Sequence, residues 1–435
     1  MSVISVIKPL AVAFRGKGPA TLLKRVGSIR RRYGLTAAKM DRALARLSDI
    51  LKQFDCQATL PITAVTLARN GDVIRKYQAR GIEFAIHGYR HIDYSELALE
   101  EQCAHFRKAD QVFGDQGIGF EGFRCPYLRE NEHTQTALKS NGFHYESSAS
   151  LAWEVGESHV TESYTRVLRF FGAQPARDYP SLPHLDETGD LVHIPYSLPD
   201  DEALVERLQW RSPAEMNDAW PAILRQTQAR GELFTLGLHP ERVEACGDAL
   251  VATLRAARAA SPAVWCAPLR GIAAWWKARA AAVVHVSHIG DDVLQLTVEG
   301  PIGTTLLLRS LDVRTPSEAW CEGYRRATEL PCAVRIDLRP FIGIAPSTAP
   351  RLSNFLKQQG YILEVSSNSN AYPLYLSQES FSQEDELPLL ARIEATNVAL
   401  ARLGRWPDRA HSALAITGDI DALTLWDYGL RLLGK

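Results

Sequence analysis

Four groups of residues have types and spacings that could do chemistry, and each follows a short apolar run. His87 and His91 stand four apart in His87-Gly88-Tyr89-Arg90-His91, directly after the run 82–86. On one helical turn two imidazoles at this spacing can face the same ion, and neutral imidazole is a common ligand for zinc and related metals. Arg124 ends a second run and is followed by Cys125-Pro126-Tyr127. A guanidinium there can hold a carboxylate by paired hydrogen bonds. His239, followed by Pro240, ends a third run, and Asp419 and Asp421 end a fourth, 413–417, before a helix expected over 423–433. Taken singly each group has a plain structural alternative: chance surface histidines, a turn arginine, a structural loop histidine, a pair of helix N-cap acids.

The elements that must position these groups alternate. The spacing of Met40, Leu44, Leu47, Leu51 and Phe54 predicts a helix with Thr36 as its N-cap. A strand over 58–62, a helix near 72–79, a strand over 82–86, a helix over about 97–113 and a short strand ending near Arg124 follow. The alternation continues through Tyr145, 191–196 and 233–238, which predicts βα units and a parallel sheet or barrel. After a helix over 271–281 the texture changes. Strands at 283–288, 293–298 and 304–309, separated by turn signals, read as an antiparallel meander. A strand at 333–338, a helix at 351–359, a strand at 361–365 and a long helix near 388–403 complete a second α/β stretch.

Composition bounds the function. The chain has 435 residues, 46% hydrophobic and 23% charged, which excludes disordered and fibrous classes. Lys+Arg at 49 against Asp+Glu at 50 leaves no global field for nucleic acid. No run approaches the roughly 18 uncharged apolar residues of a membrane helix, and the N-terminal residues lack the pattern of a secretory signal. Seven scattered cysteines with no CxxC pair suggest a reduced, cytoplasmic protein. Residues 1–40 hold nine Lys and Arg and no acid. They read either as a solvated face or as a contact, through residues 8–39, with an anionic membrane or a phosphate-bearing substrate, where each cation contributes about 1 kcal/mol.

Together the groups cease to be plain. The order HxxxH, then RxPY (here Arg124-Cys125-Pro126-Tyr127), then LxLHP (Leu236-Gly237-Leu238-His239-Pro240) resembles the polysaccharide deacetylase family, the NodB-like carbohydrate esterases, over roughly residues 36–275. The stretches 142–148 and 194–200 are similar to strands of that family. Its opening strand, ending in an aspartate pair, is missing upstream of residue 36. Text resembling it stands at the other end: Trp406-Pro407, then Thr417-Gly418-Asp419-Ile420-Asp421. The acids are separated by Ile420 where the family often has them adjacent.

The resemblance implies an α/β fold: a distorted (β/α) barrel of the NodB type, circularly permuted, with an inserted α/β domain. Residues 1–280 would form most of the barrel, 281–405 the insert, and 406–435 the first strand and helix. Exchange of the C-terminal segment between subunits is the competing account of the displaced strand. The implied activity is metal-dependent removal of an N-acetyl group from an amino sugar in a polysaccharide or lipid-linked glycan. By the same resemblance His87, His91 and Asp421 hold a divalent metal, zinc by family likeness, and Asp419 is the base. Arg124 orients Asp419, His239 is the acid, and Tyr127 binds the oxyanion and lines the groove. An amidohydrolase acting on a non-sugar amide or ureide, and an inactive glycan-binding barrel, are the alternatives.

Overall fold

The computed structural model describes residue 27 and residues 29–210 and 212–434. Lys8, Arg15, Lys17, Lys24 and Arg25 of the basic stretch lie outside the described residues. The fold is α/β, a curled half-barrel of the NodB type built on a twelve-stranded sheet. Its strands are β1 (Ala58–Ile62), β2 (Glu83–Ile86), β3 (Gly122–Phe123), β4 (Tyr145–Glu146), β5 (Ser150–Ala152), β6 (Gln174–Pro175), β7 (His184–Leu185), β8 (Val192–His193), β9 (Tyr196–Leu198), β10 (Leu233–Gly237), β11 (Ala263–Cys266) and the C-terminal strand Ala410–Thr417. Across the sheet the order is β6, β5, β9, β10, the C-terminal strand, β1, β2, β3, β4, β8 and β7, with β11 also pairing to the C-terminal strand.

Only the β7–β8 pair is antiparallel among these. Every position of β1, β2 and β10 is buried, as expected of parallel strands covered on both faces. The helices Ala38–Gln53, Ala64–Gln78, Leu99–Gln116, Pro213–Ala229 and Val243–Ala259 supply buried apolar positions to the barrel.

The C-terminal strand occupies an interior place. It runs parallel to β10 from Leu233↔Ala413 to Gly237↔Thr417, and to β1 at Ala58↔Ile416 and Thr59↔Thr417. A strand so placed leaves few backbone groups for water, and its apolar run is buried almost throughout. The tryptophan-proline lead-in has a structural reason. Trp406 is fully buried, donates from Nε1 to the Gly231 carbonyl at 3.0 Å, and packs 5.4 Å from the Trp276 ring.

Residues between the barrel parts form three small sheets. One joins Val283–Gly290, Val293–Glu299, Cys332–Arg335 and Asp312–Val313. A second joins Ser317–Ala319, Tyr324–Ala327, Leu306–Arg309 and Leu400–Leu403. The third is parallel, with Ile342–Ile344 between Leu363–Val365 and Leu374–Leu376.

Four local expectations are corrected. The long helix near 388–403 is a helix over Glu386–Glu394 and a buried strand over Leu400–Leu403. Pairing of that strand with Leu306–Arg309, and the buried Arg402–Glu394 contact at 2.6 Å, override the helical spacing. The helix near 72–79 begins at Ala64 and kinks at Asn70, whose side chain bonds the Thr66 carbonyl and Asp427. Thr36 is not a cap, because the first barrel helix starts at Ala38 with Ala37 before it. His87 and His91 lie on a loop rather than on a helical turn.

Candidate active site

β2 ends at Ile86 and delivers His87 to the C-terminal edge of the sheet, where βα folds assemble their sites. The His87 Nδ1 lies 2.9 Å from the Arg124 backbone carbonyl. That acceptor places the ring proton on Nδ1 and leaves the Nε2 lone pair facing the pocket. The loop turns His91 back, so that the two rings stand 5.1 Å apart, and the Tyr127 ring meets His91 edge-on at 4.4 Å.

Asp419 and Asp421 arrive from the C-terminal strand. Residues two apart on extended backbone point to the same side. Ile420 between them faces the core, fully buried, and its N–H donates to the Pro61 carbonyl at 2.7 Å. The spacing with one residue between the acids therefore still aims both carboxylates at one place. Gly418 permits the approach: a Cβ there would lie 1.8 Å from the Leu238 carbonyl oxygen, so only glycine lets this strand end press against the His239 loop.

Asp421 Oδ1 is 3.5 Å from His87 Nε2 and 3.3 Å from His91 Nε2. It is buried and has no hydrogen-bond donor; the His91 Nδ1 is likewise unpartnered. One ligand atom from each of His87, His91 and Asp421 falls within 4.8 Å of the others. A buried carboxylate oxygen without a donor costs free energy unless something positive completes it. This donor set, two imidazole nitrogens and a carboxylate oxygen, fits a divalent cation. Burial, with Arg431 adding to it, pushes His91 well below its usual range and so keeps it neutral. Burial alone would raise Asp421, but Arg431 and the two histidines hold it well below the usual carboxylate range.

Asp419 sits beside this set, its Oδ2 3.7 Å from His87 Nε2. Arg124 is fully buried and donates from Nη1 to Asp419 Oδ1 at 3.0 Å and to Thr417 Oγ1 at 2.9 Å. Its other nitrogens are anchored on Ser147, through the carbonyl at 2.7 Å and Oγ at 3.0 Å. The guanidinium is thus held by Ser147 independently of Asp419.

His239 follows β10 and donates from Nδ1 to Asp201 Oδ1 at 2.8 Å, while Arg242 holds the other Asp201 oxygen at 3.1 Å. Burial alone would lower His239, but the Asp201 carboxylate outweighs it and raises the imidazole to about 10. The ring is cationic at neutral pH.

Tyr127 and the following Leu128 both have left-handed backbone, φ 61° and 55°. Non-glycine residues hold such conformations at a cost of about 1–3 kcal/mol each, and they concentrate at functional sites.

Six of the seven residues singled out in the sequence, His87, His91, Tyr127, His239, Asp419 and Asp421, line one narrow pocket of about 70 Å³. Arg124 lies behind it, in contact with Asp419. Two participants escaped the sequence reading. Asp201 follows directly on the 194–200 stretch, and its place after that strand was a usable signal. Arg431 had none. It extends from the helix Leu425–Leu432 and places Nη2 3.0 Å from both Asp421 Oδ2 and His91 Nε2.

Residues 36–146 match the family model for polysaccharide deacetylases. No curated protein matches the chain. Among solved structures, one from Mycobacterium smegmatis described as a polysaccharide deacetylase is 22% identical, covering 62% of this chain and 86% of its own, with a TM-score of 0.45. The PuuE allantoinase is also 22% identical, covering 54% of this chain and 72% of its own, at 0.43. A family 4 carbohydrate esterase from Streptomyces lividans, in complex with acetate, is 22% identical over 25% of this chain and 57% of its own, at 0.24.

Proposed function

We propose that this chain, whose residues 36–146 match the polysaccharide deacetylase family model, hydrolyses the N-acetyl group of an amino sugar within a glycan, using one divalent metal. The carrying observation is convergence: carboxylates from residues 419 and 421 meet His87, His91 and Arg124 within single contact distances. His87, His91 and Asp421 would hold the metal, zinc in this reading, which supplies a Lewis acid for the amide carbonyl and for water.

The residues divide the remaining work. Asp419, fixed by Arg124, takes the proton of the attacking water as its oxygen bonds to the acetyl carbon. His239, cationic against Asp201, gives a proton to the nitrogen as the C–N bond breaks, so that acetate and a free amine leave. The Tyr127 backbone N–H is assigned to the developing oxyanion and its ring to the wall of the groove.

The proposal includes the chain order. Residues 406–435 act as the family's first βα unit, moved to the C-terminus, and join residues 1–280 around an insert over 281–405. Support comes from the C-terminal strand lying between β1 and β10 of the same chain. Among the described residues no helix is long and apolar enough to cross a membrane. Cytoplasmic placement, and a contact of residues 8–39 with anionic lipid, belong to the same reading and rest on sequence composition.

The test is acetate release from a panel of N-acetylated sugars and oligosaccharides set beside ureides, with metal content measured in parallel. Wild-type protein should carry one divalent metal that His87→Ala and His91→Ala lose. Turnover of ureides alone would move the chain to the amidohydrolase reading. Neither activity nor metal would leave the inactive-barrel reading.

A further inference from the structure

Beside the catalytic pocket, sharing Leu128, Phe170 and Phe171 as a common wall, lies a larger cavity of about 430 Å³. That size is within the range of small-molecule sites. Its far wall comes from the insert, through Phe355, Gln359, Gln383 and Glu386. The cavity therefore exists only where barrel and insert meet, and no residue assigned to the hydrolysis above is needed to build it.

Its polar groups are poised and unused. Ser150 is 5% exposed and Gln359 2% exposed; both line the cavity, one from the barrel and one from the insert, with Oγ and Oε1 lacking any hydrogen-bond partner. Glu130 contributes a buried Oε2 in the same condition. His193, also lining the cavity and 4% exposed, binds the Glu146 carboxylate through Nδ1 at 2.8 Å. Unpaired buried polar atoms are rare and call for a ligand or water.

The chemistry of the lining narrows the ligand. Glu146 and His193 neutralise each other, and Arg129 is paired with Asp93 at 2.8 Å. Burial, with Glu146 adding to it, raises Glu130 to about 8, and burial raises Glu386 to about 7. Arg169 also lines the cavity, so a cation stands among its aromatic and hydrogen-bonding groups. The lining combines aromatic faces (Phe170, Phe171, Tyr179, Phe355) with amides, a hydroxyl and carboxyls that both donate and accept. Aromatic faces beside groups that donate and accept hydrogen bonds suit a polyhydroxyl ring.

We propose that this cavity receives a sugar unit of the same glycan whose neighbouring unit lies over the catalytic residues, so that the insert is half of an extended substrate site. The inference rests on the deacetylase reading for the identity of the glycan, not for the existence of the cavity. It makes the enzyme selective for oligomers over single sugars, and gives residues 281–405 a role in binding.

The experiment uses full-length Asp419→Asn protein, which should bind without turnover, and calorimetric titration with N-acetylglucosamine and its β-1,4-linked dimer and trimer. The trimer should bind at least ten-fold tighter than the monosaccharide. Gln359→Ala and, separately, Ser150→Ala, which removes only an unpartnered hydroxyl, should abolish that gain while leaving monosaccharide binding and the melting temperature near those of the parent. Equal affinity for all lengths, no binding of any oligomer, or a gain untouched by both variants would overturn the inference. The two readings fail separately. Length-dependent binding in a wild-type protein that never releases acetate sinks the deacetylase reading alone. Acetate release that is indifferent to chain length sinks the cavity inference alone.

Discussion

Arg124 and Asp419, 295 residues apart in the chain, meet at 3.0 Å, with the guanidinium fully buried and already tied to Ser147. A buried guanidinium without a carboxylate would be a costly defect. The C-terminal strand thus completes the barrel's electrostatics as well as its sheet.

The two acids should separate in function. Asp419→Asn keeps the shape and a hydrogen-bond acceptor for Arg124 but removes the proposed base, so turnover should fall roughly 10²–10⁴-fold with metal content unchanged. Asp421→Asn should lose metal. Elemental analysis with acetate release checks both, and the reverse pattern would exchange the roles.

His239 gives a pH signature with a definite sign. Its folded value of about 10 lies above the ordinary 6.5. The stabilisation it contributes is therefore complete below about pH 6.5 and is lost as pH rises toward 10. Thermal melts across that window should show a decline that His239→Gln flattens. Asp201→Asn removes the carboxylate that raises His239, so the alkaline limb of the activity profile should move to lower pH. An unmoved limb would remove Asp201 from the acid's support.

Arg431 sets a cation beside the proposed metal ligands. Unit charges about 4 Å apart at an effective dielectric near 20 interact by about 4 kcal/mol, which exceeds the roughly 1.5–3 kcal/mol of a hydrogen bond to a charged group. Arg431→Gln removes the charge while keeping an N–H for Asp421, and should tighten metal binding at least ten-fold in chelator competition. Weaker binding would mean that orientation of Asp421 outweighs repulsion.

Removing residues 406–435 takes out an interior strand together with Asp419 and Asp421, the proposed base and one proposed metal ligand. Deletion should abolish cooperative unfolding and metal binding together, read by circular dichroism and elemental analysis. The edges exposed on β1 and β10 should also promote aggregation. A truncated protein that folds and retains metal would remove the C-terminal strand from the site.

The site's residue types were legible in the sequence because strand ends place chemistry next to short apolar runs. His87, Arg124, His239 and Asp419 each follow such a run, and buried parallel strands announce themselves by composition. The acids at 419 and 421 could be read as one unit because extended backbone repeats every two residues. Arg431 could not be read this way, since nothing local marks which helix residue will face a distant carboxylate. The same holds for the stretch near 388–403, where helical spacing was real but strand pairing with Leu306–Arg309 prevailed. Nor could sequence show that Ser150 and Gln359 would face one cavity across an interface. Local spacing is a property of the chain, whereas partner choice between segments hundreds of residues apart is settled by which burial and pairing satisfy the whole molecule, and only the tertiary structure contains that decision.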